Sequence, residues 1–252
     1  MKNPKQSSFS TGTGPVRLEA ILFDLFHTLI DLRDVPAGTS TPELLGLDPV
    51  TWSRKVVEDS PHHALGTEAD PIESVRMIAH ALDPSIPMEK IIAAAEARPR
   101  RFRAALLGVR GEVLAMLQCI KGLGLKMALV SNAGIDEVTS WEESPLAPFF
   151  DAALFSCHEK VMKPDPEIYH RAAELLDTRP ENCLFVGDGG SREHEGAAAV
   201  GMPTVLLLAL LRPSYPAVAE RRARNTTWVV ESFPELTTLI ERLHLDGLPS
   251  TP

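Results

Sequence analysis

Five short apolar runs, each closed by turn-forming or polar residues, constrain this chain more than any other feature. Residues 20–23 (AILF) end at Asp24, and 126–130 (KMALV) end at Ser131 and Asn132. Residues 152–155 end at Ser156, 183–186 (CLFV) end at Gly187 and Asp188, and 204–208 follow Gly201. Continuous apolar runs of this length suit strands buried on both faces, as in a parallel sheet. Helical patterns lie between them. Residues 112–122 bring Val113, Leu114, Leu117 and Ile120 to one face and stop at glycine. Residues 166–176 open with proline and align Ile168, Ala172 and Leu175. Residues 193–200 are alanine-rich, and 234–243 are amphipathic. The alternation predicts an α/β chain: a Rossmann-like parallel sheet core with helices on both faces. Polar residues just past the strand ends then share one edge, where ligands bind.

The stretch 33–106 has no strong strand runs. It carries helical patterns at 72–82 and 89–97, broken by Pro49, Pro61, Pro71, Pro84 and Pro99. It begins after the first strand and ends where the alternation resumes, which predicts an inserted α-helical cap over the sheet edge. A lid there excludes water and selects substrates. The expected organisation is a flexible tail at 1–14, a core of 15–32 and 107–245, a cap at 33–106 and a C-terminal tail at 246–252.

The net charge of −9 argues against nucleic acid and anionic membranes as partners, and leaves an anionic substrate needing a local positive site. A bound cation is one way to supply it. The longest apolar candidate, 203–211, falls far short of the ~20 residues that span a bilayer. Residues 1–14 lack the apolar segment of a signal peptide. Three scattered cysteines make no disulfide framework or zinc site; Cys119 and Cys183, in apolar runs, read as buried core thiols. Cys157 beside His158 is a poor nucleophile–base pair, since sequence neighbours rarely aim at one atom. A reducing, cytoplasmic setting is expected.

The strand ends collect Asp24 with Thr28, Ser131 with Asn132, Lys163, and Asp188 with Glu193. Asp24 and Asp188 repel across the edge unless a cation lies between them, and hard oxygen ligands favour Mg²⁺. Lys163 can orient a nucleophile and neutralise a phosphoryl group. Ser131 and backbone N–H groups after the first strand can hold the remaining phosphoryl oxygens.

The segments FDLFHTL (23–29), LVSNA (129–133), KPDPEIY (163–169) and VGDGGSREHEGAAAVGM (186–202) together resemble the haloacid dehalogenase-like hydrolases with a helical cap inserted after the first motif. The resemblance implies that Asp24 is a nucleophile forming an aspartyl-phosphate, and that Ser131 and Lys163 are the phosphate ligand and the lysine of the second and third motifs. It implies Mg²⁺ held by Asp24, Asp188 and the main-chain carbonyl of Phe26, with Glu193 in support. Thr28 resembles the loop-fixing threonine and, with Asn132, stands on the substrate side. A Mg²⁺-dependent phosphatase of a small phosphorylated metabolite follows. Two departures matter. Phe26 occupies the place where most family phosphatases carry a second aspartate as general acid, an aromatic choice shared with the family's dehalogenases. Gly187 and Asp188 retain the metal motif that those dehalogenases lack. A 2-haloacid dehalogenase using Asp24, and a catalytically weak regulatory binder of the same fold, are the rivals.

His27 replaces a small residue in the first motif; it either substitutes for the missing acid or is held by its loop or the cap. Arg98, Arg100, Arg101 and Arg103 read as a solvated helix face, and His62 and His63 as a pair without an acidic partner. Trp52 and Trp141 read as packing residues, and Asp136, Glu142 and Glu143 as decoration of an exposed helix. The oligomeric state is not encoded in any motif.

Overall fold

A computed structural model describes residues 16–35, 40–59, 61–68, 70–223 and 228–248. The expected N-terminal tail at 1–14 lies outside the described residues, as do 249–252. Among the described residues six strands form one parallel sheet in the order β3-β2-β1-β4-β5-β6. They are β1 (Ala20–Phe23), β2 (Lys126–Ser131), β3 (Ala152–Phe155), β4 (Cys183–Gly187), β5 (Thr204–Leu207) and β6 (Trp228–Val230). The first five are the predicted apolar runs. β6 is an edge strand of three residues with Val229 exposed, too short and one-sided to announce itself by pattern.

Alternation along β1 divides the core. Ile21 and Phe23 join a cluster with Val113, Met116, Leu117 and Ile120 of α6 (Gly111–Gly122) and Leu236 and Ile240 of α13 (Phe233–Asp246). Ala20 and Leu22 join Ile168, Tyr169 and Ala172 of α9 (Pro166–Leu175) and Ala197 of α10 (Glu193–Ala199) on the other face. Both faces of the central strands are therefore dry, which is why they read as unbroken apolar runs. Asp165 caps α9 by accepting from the Glu167 N–H at 3.0 Å, with Pro166 at the first position. Two expectations of burial fail. Leu175 is 64% exposed, and the inward positions of that segment are Ala172, Ala173 and Leu176. Cys119 is exposed because α6 turns Met116, Leu117 and Ile120 inward. Cys157 and Cys183 are buried, and burial pushes their thiols up to about 11 and about 12, so neither is a ready nucleophile.

Between β1 and α6 lie α1 (Thr41–Leu45), α2 (Pro49–Asp59), α3 (Pro61–Ala64), α4 (Pro71–Leu82) and α5 (Met88–Leu107). All of these but α3 share a small core of Leu45, Trp52, Val75, Ile78, Ile91 and Ala94. Pro49, Pro61 and Pro71 open helices rather than break them. Pro99 lies inside α5, against the expectation of a break. A helix-interior proline costs ~3 kcal/mol. Burial of Phe102, Ala105 and Leu106 beyond it, at roughly 1.5–3 kcal/mol per large side chain, outweighs that cost. The remaining short helices are α7 (Ile135–Val138), α8 (Ser156–Glu159), α11 (Leu211–Ser214) and α12 (Pro216–Ala223). Leu248 closes the described chain by pairing with Val16 as an isolated antiparallel bridge. No described helix is long and apolar enough to cross a membrane.

Candidate active site

The sheet order sets the site. β1 lies between β2 and β4, so the residues after these three strands converge at one edge. Asp24 follows β1, and its N–H donates to the Val186 carbonyl of β4 at 2.9 Å. Its carboxylate is divided between two donors: Lys163 Nζ reaches Oδ1 at 2.6 Å, and Thr28 Oγ1 reaches Oδ2 at 2.8 Å. All three residues are buried.

Lys163 comes from the loop between α8 and α9 rather than directly from a strand end. Asn132 braces it: its Nδ2 donates to the Lys163 carbonyl at 2.9 Å, and its Oδ1 accepts from the Lys163 N–H at 2.8 Å. The Lys163 ammonium also bonds Glu193 Oε2 at 2.6 Å. Burial alone would lower the Lys163 pKa, but Asp24 and Glu193 raise it, so the lysine stays charged. Glu193 moves the other way. Burial, with Asp24 and Asp188 adding negative charge, pushes its carboxyl up to about 8 against the pull of Lys163. Its Oε1 accepts from the Gly189 N–H at 2.7 Å. Gly187 is what admits this side chain: a Cβ there would sit 2.2 Å from Glu193 Oε1. Tyr169, six residues after Lys163, donates its buried hydroxyl to the Glu193 carbonyl at 2.7 Å and fixes the start of α10.

Asp188 follows β4. Its Oδ1 accepts from the Gly190 N–H at 2.7 Å, and its Oδ2 from Arg222 Nη1 of α12 at 2.7 Å. Asp24, Asp188 and Glu193 each offer an oxygen, and the three atoms lie within 4.8 Å of one another. Three buried carboxylates, all oxygen donors, form a set that suits a hard divalent cation. Ser131 Oγ, at the end of β2, is buried with no hydrogen-bond partner. A buried hydroxyl without a partner is unusual in a native fold and marks a place for an external acceptor.

The Phe26 ring meets Phe102 of the cap edge-on, 5.4 Å between centroids. His27 adopts a left-handed backbone (φ 64°), a conformation easier for the small residue usual there. Its ring packs edge-on against Tyr215 rather than the cap, and its Nδ1 is buried without a partner.

A second polar cluster joins the inserted helices to α7. Arg98, expected on a solvated face, is 5% exposed. Its Nε reaches Asp136 Oδ2 at 2.6 Å and its Nη2 reaches Glu137 Oε1 at 2.5 Å, both on α7. His63 Nε2 lies 3.2 Å from Glu137 Oε1, which supplies the acidic partner not visible in sequence. Asp136 is thus a nearly buried ion-pair partner rather than an exposed helix ornament. Glu142, Glu143 and Arg100 are exposed, as expected, and Trp52 and Trp141 are buried packing residues. Burial alone would raise the Glu137 carboxyl, but His63 and Arg98 hold it at about 2.

No sequence pattern points to Arg222. It lies 34 residues beyond Asp188 in a polar helix, and no spacing ties the two. Tyr169 closes the KPDPEIY segment, whose pattern gives the hydroxyl no role.

Residues 18–201 match the haloacid dehalogenase-like hydrolase family. A glyceraldehyde 3-phosphate phosphatase of Methanopyrus kandleri is 31% identical over 122 residues, 47% of this chain and 52% of that protein. The chain thus spans about half the length of this relative. The (S)-2-haloacid dehalogenase 1 of a Pseudomonas species is 26% identical over 238 residues, 91% of this chain and 98% of that one. In three dimensions the L-2-haloacid dehalogenase of Xanthobacter autotrophicus superposes with a TM-score of 0.65 at 21% identity, covering 89% of this chain and 98% of that one. With the match running from β1 through α10 and taking in Asp24, Ser131, Lys163, Asp188 and Glu193, the chain belongs to the haloacid dehalogenase-like hydrolases.

Proposed function

We propose that the protein is a Mg²⁺-dependent phosphatase of small phosphorylated metabolites that works through an aspartyl-phosphate on Asp24. The observation that carries this reading is the Asp188 carboxylate, retained beside Asp24 and Glu193 with their oxygens within 4.8 Å. Asp24, Asp188 and the main-chain carbonyl of Phe26 would hold the cation, with Glu193 behind them. When bound, Mg²⁺ supplies Lewis-acid charge to the phosphoryl oxygens.

Lys163 and Thr28 each hold one oxygen of Asp24, which restrains the carboxylate before attack. In the first step an Asp24 oxygen bonds to phosphorus as the ester oxygen leaves. In the second, water cleaves the acyl phosphate and restores the carboxylate. Lys163 offsets charge on the phosphoryl group, and the unpartnered Ser131 hydroxyl is suited to one of its oxygens. Asn132 serves the substrate through Lys163, whose backbone it holds. Phe26 has no proton to give, and general acid catalysis is worth roughly 10²–10⁴ in rate. Acyl and aryl phosphates, whose leaving groups need no proton, are therefore expected to turn over faster than alkyl phosphates.

One observation favours a second reading, halide displacement from a 2-haloacid by Asp24. Phe26 supplies an apolar wall instead of an acid, and the relative matched over 98% of its length is a dehalogenase. A panel of phosphate esters, acyl phosphates and 2-haloacids, assayed with Mg²⁺ and with chelator, tests both. Phosphate release that needs Mg²⁺ and drops by roughly 10⁴-fold or more in Asp24→Asn supports the phosphatase. Metal-independent halide release supports the dehalogenase. Ligand binding without turnover across the panel supports a regulatory binder.

A further inference from the structure

The proposed cation site already contains a positive charge that belongs to another part of the fold. Arg222 Nη1 donates to both Asp188 Oδ2, at 2.7 Å, and the Asp188 carbonyl, at 2.8 Å. The Asp188 side chain is 8% exposed and that of Arg222 24%, so the contact is screened from bulk water on the carboxylate side. The loop after β4 is shaped around it. A Cβ at Gly189 would lie 3.2 Å from Arg222 Cδ, and one at Gly190 would lie 3.5 Å from Arg222 Nη2. Gly189 also adopts φ 78°, so the chain turns away beneath the arginine where a side chain would obstruct it.

The charges explain the arrangement. Asp24, Asp188 and Glu193 bring three carboxyl groups together, and Lys163 touches Asp24 and Glu193 but is not bonded to Asp188 in this network. Arg222 supplies the cation for that third carboxylate. With Gly190 N–H on Oδ1 and Arg222 on Oδ2, both oxygens of Asp188 have a donor. A divalent ion approaching Oδ2 meets a guanidinium that already holds it.

We propose that Arg222 is a built-in counter-ion that competes with the cation for Asp188, so that loading the metal displaces the guanidinium and loosens α12 from the site. The inference rests on the metal reading of Asp188 given above. It makes α12, an element outside the four family motifs, a determinant of metal affinity. The same device prevents Asp188 from standing as an unpaired buried charge before the metal arrives, which would be costly.

The test is Mg²⁺ binding to the full chain, measured by calorimetry with no substrate present. Arg222→Met is expected to bind Mg²⁺ at least roughly tenfold more tightly than the unaltered protein, the scale of a lost charge-assisted hydrogen bond. Arg222→Lys, which keeps the charge but loses the fork, should fall between them. Arg221→Met removes the neighbouring exposed charge and should change affinity less than twofold, separating contact from a general field effect. Thermal melting without metal verifies that each variant is folded. Measurable Mg²⁺ binding with equal affinity in Arg222→Met and the unaltered protein overturns this inference and leaves the metal reading standing. Absence of Mg²⁺ binding in both overturns the two together.

Discussion

Two buried ionic clusters in this molecule look alike in composition and differ in what they lack. Where α5 meets α7, Arg98 bonds Asp136 and Glu137 directly, and His63 completes the surround. At the sheet edge, Lys163 and Arg222 face Asp24, Glu193 and Asp188. The carboxyl groups report the difference. Burial opposes ionisation in both places, yet Glu137 is held at about 2 while Glu193 is pushed up to about 8. In the first cluster Arg98 and His63 flank two carboxyl groups, whereas in the second Lys163 and Arg222 are shared among three. On the same sheet edge, at the end of β2, the Ser131 hydroxyl is buried without a partner. A satisfied cluster fastens two parts of a fold. On the proposed reading, the second cluster is where the cation and the phosphoryl group would be received.

Removing the central cation from each cluster should produce the largest effects and the sharpest contrast. Lys163→Met and Arg98→Met each leave buried carboxylates uncompensated, and each should lose about 3–5 kcal/mol of stability in urea unfolding without metal. Mg²⁺ should restore more of the loss in the Lys163 variant than in the Arg98 variant. Equal rescue of both would erase the distinction drawn between the clusters.

Ser131→Ala should follow in size, with opposite effects on activity and stability. Loss of one hydrogen bond to a charged phosphoryl oxygen should lower kcat/KM by roughly 10–100-fold. Stability should hold or rise, because the variant removes a buried hydroxyl that has no partner. A marked fall in melting temperature would mean that the hydroxyl serves the fold instead.

The pH dependence of stability should be the smallest effect. Glu193 binds its proton more tightly in the folded protein than its ordinary value of 4.5 implies. Its contribution to metal-free stability is therefore full below about pH 4.5 and is lost as pH rises toward 8. Glu137, lowered from 4.5 to about 2, contributes fully above 4.5 and loses that contribution as pH falls toward 2. Melting temperatures across pH in chelator should show Glu193→Gln flattening the upper limb and Glu137→Gln the lower. The same limb responding to both substitutions would contradict the assignment.

How far the sequence could be read depended on whether the signal was local. The five central strands were legible because burial on both faces writes an unbroken apolar run. Asp24, Ser131 and Asp188 were legible because a parallel sheet brings the residues after its strands to one edge. Helix faces were read less well. Leu175 and Cys119 are apolar or weakly polar residues that the helix phase turns outward, and composition could not show it. Pro99 misled because its cost is a property of the isolated helix, whereas the burial that outweighs it is tertiary.

The chain's sequence by itself determined the α/β class and the placing of Asp24, Ser131 and Asp188 at the sheet edge, since buried strands and the residues that end them are local signals. Only the tertiary structure decided how the charges pair. Arg98 meets Asp136 and Glu137 across 38 and 39 residues, and Arg222 meets Asp188 across 34, with no periodicity linking the partners. The physical reason is that a Coulomb interaction depends on distance and burial in space, and the chain writes neither along its length.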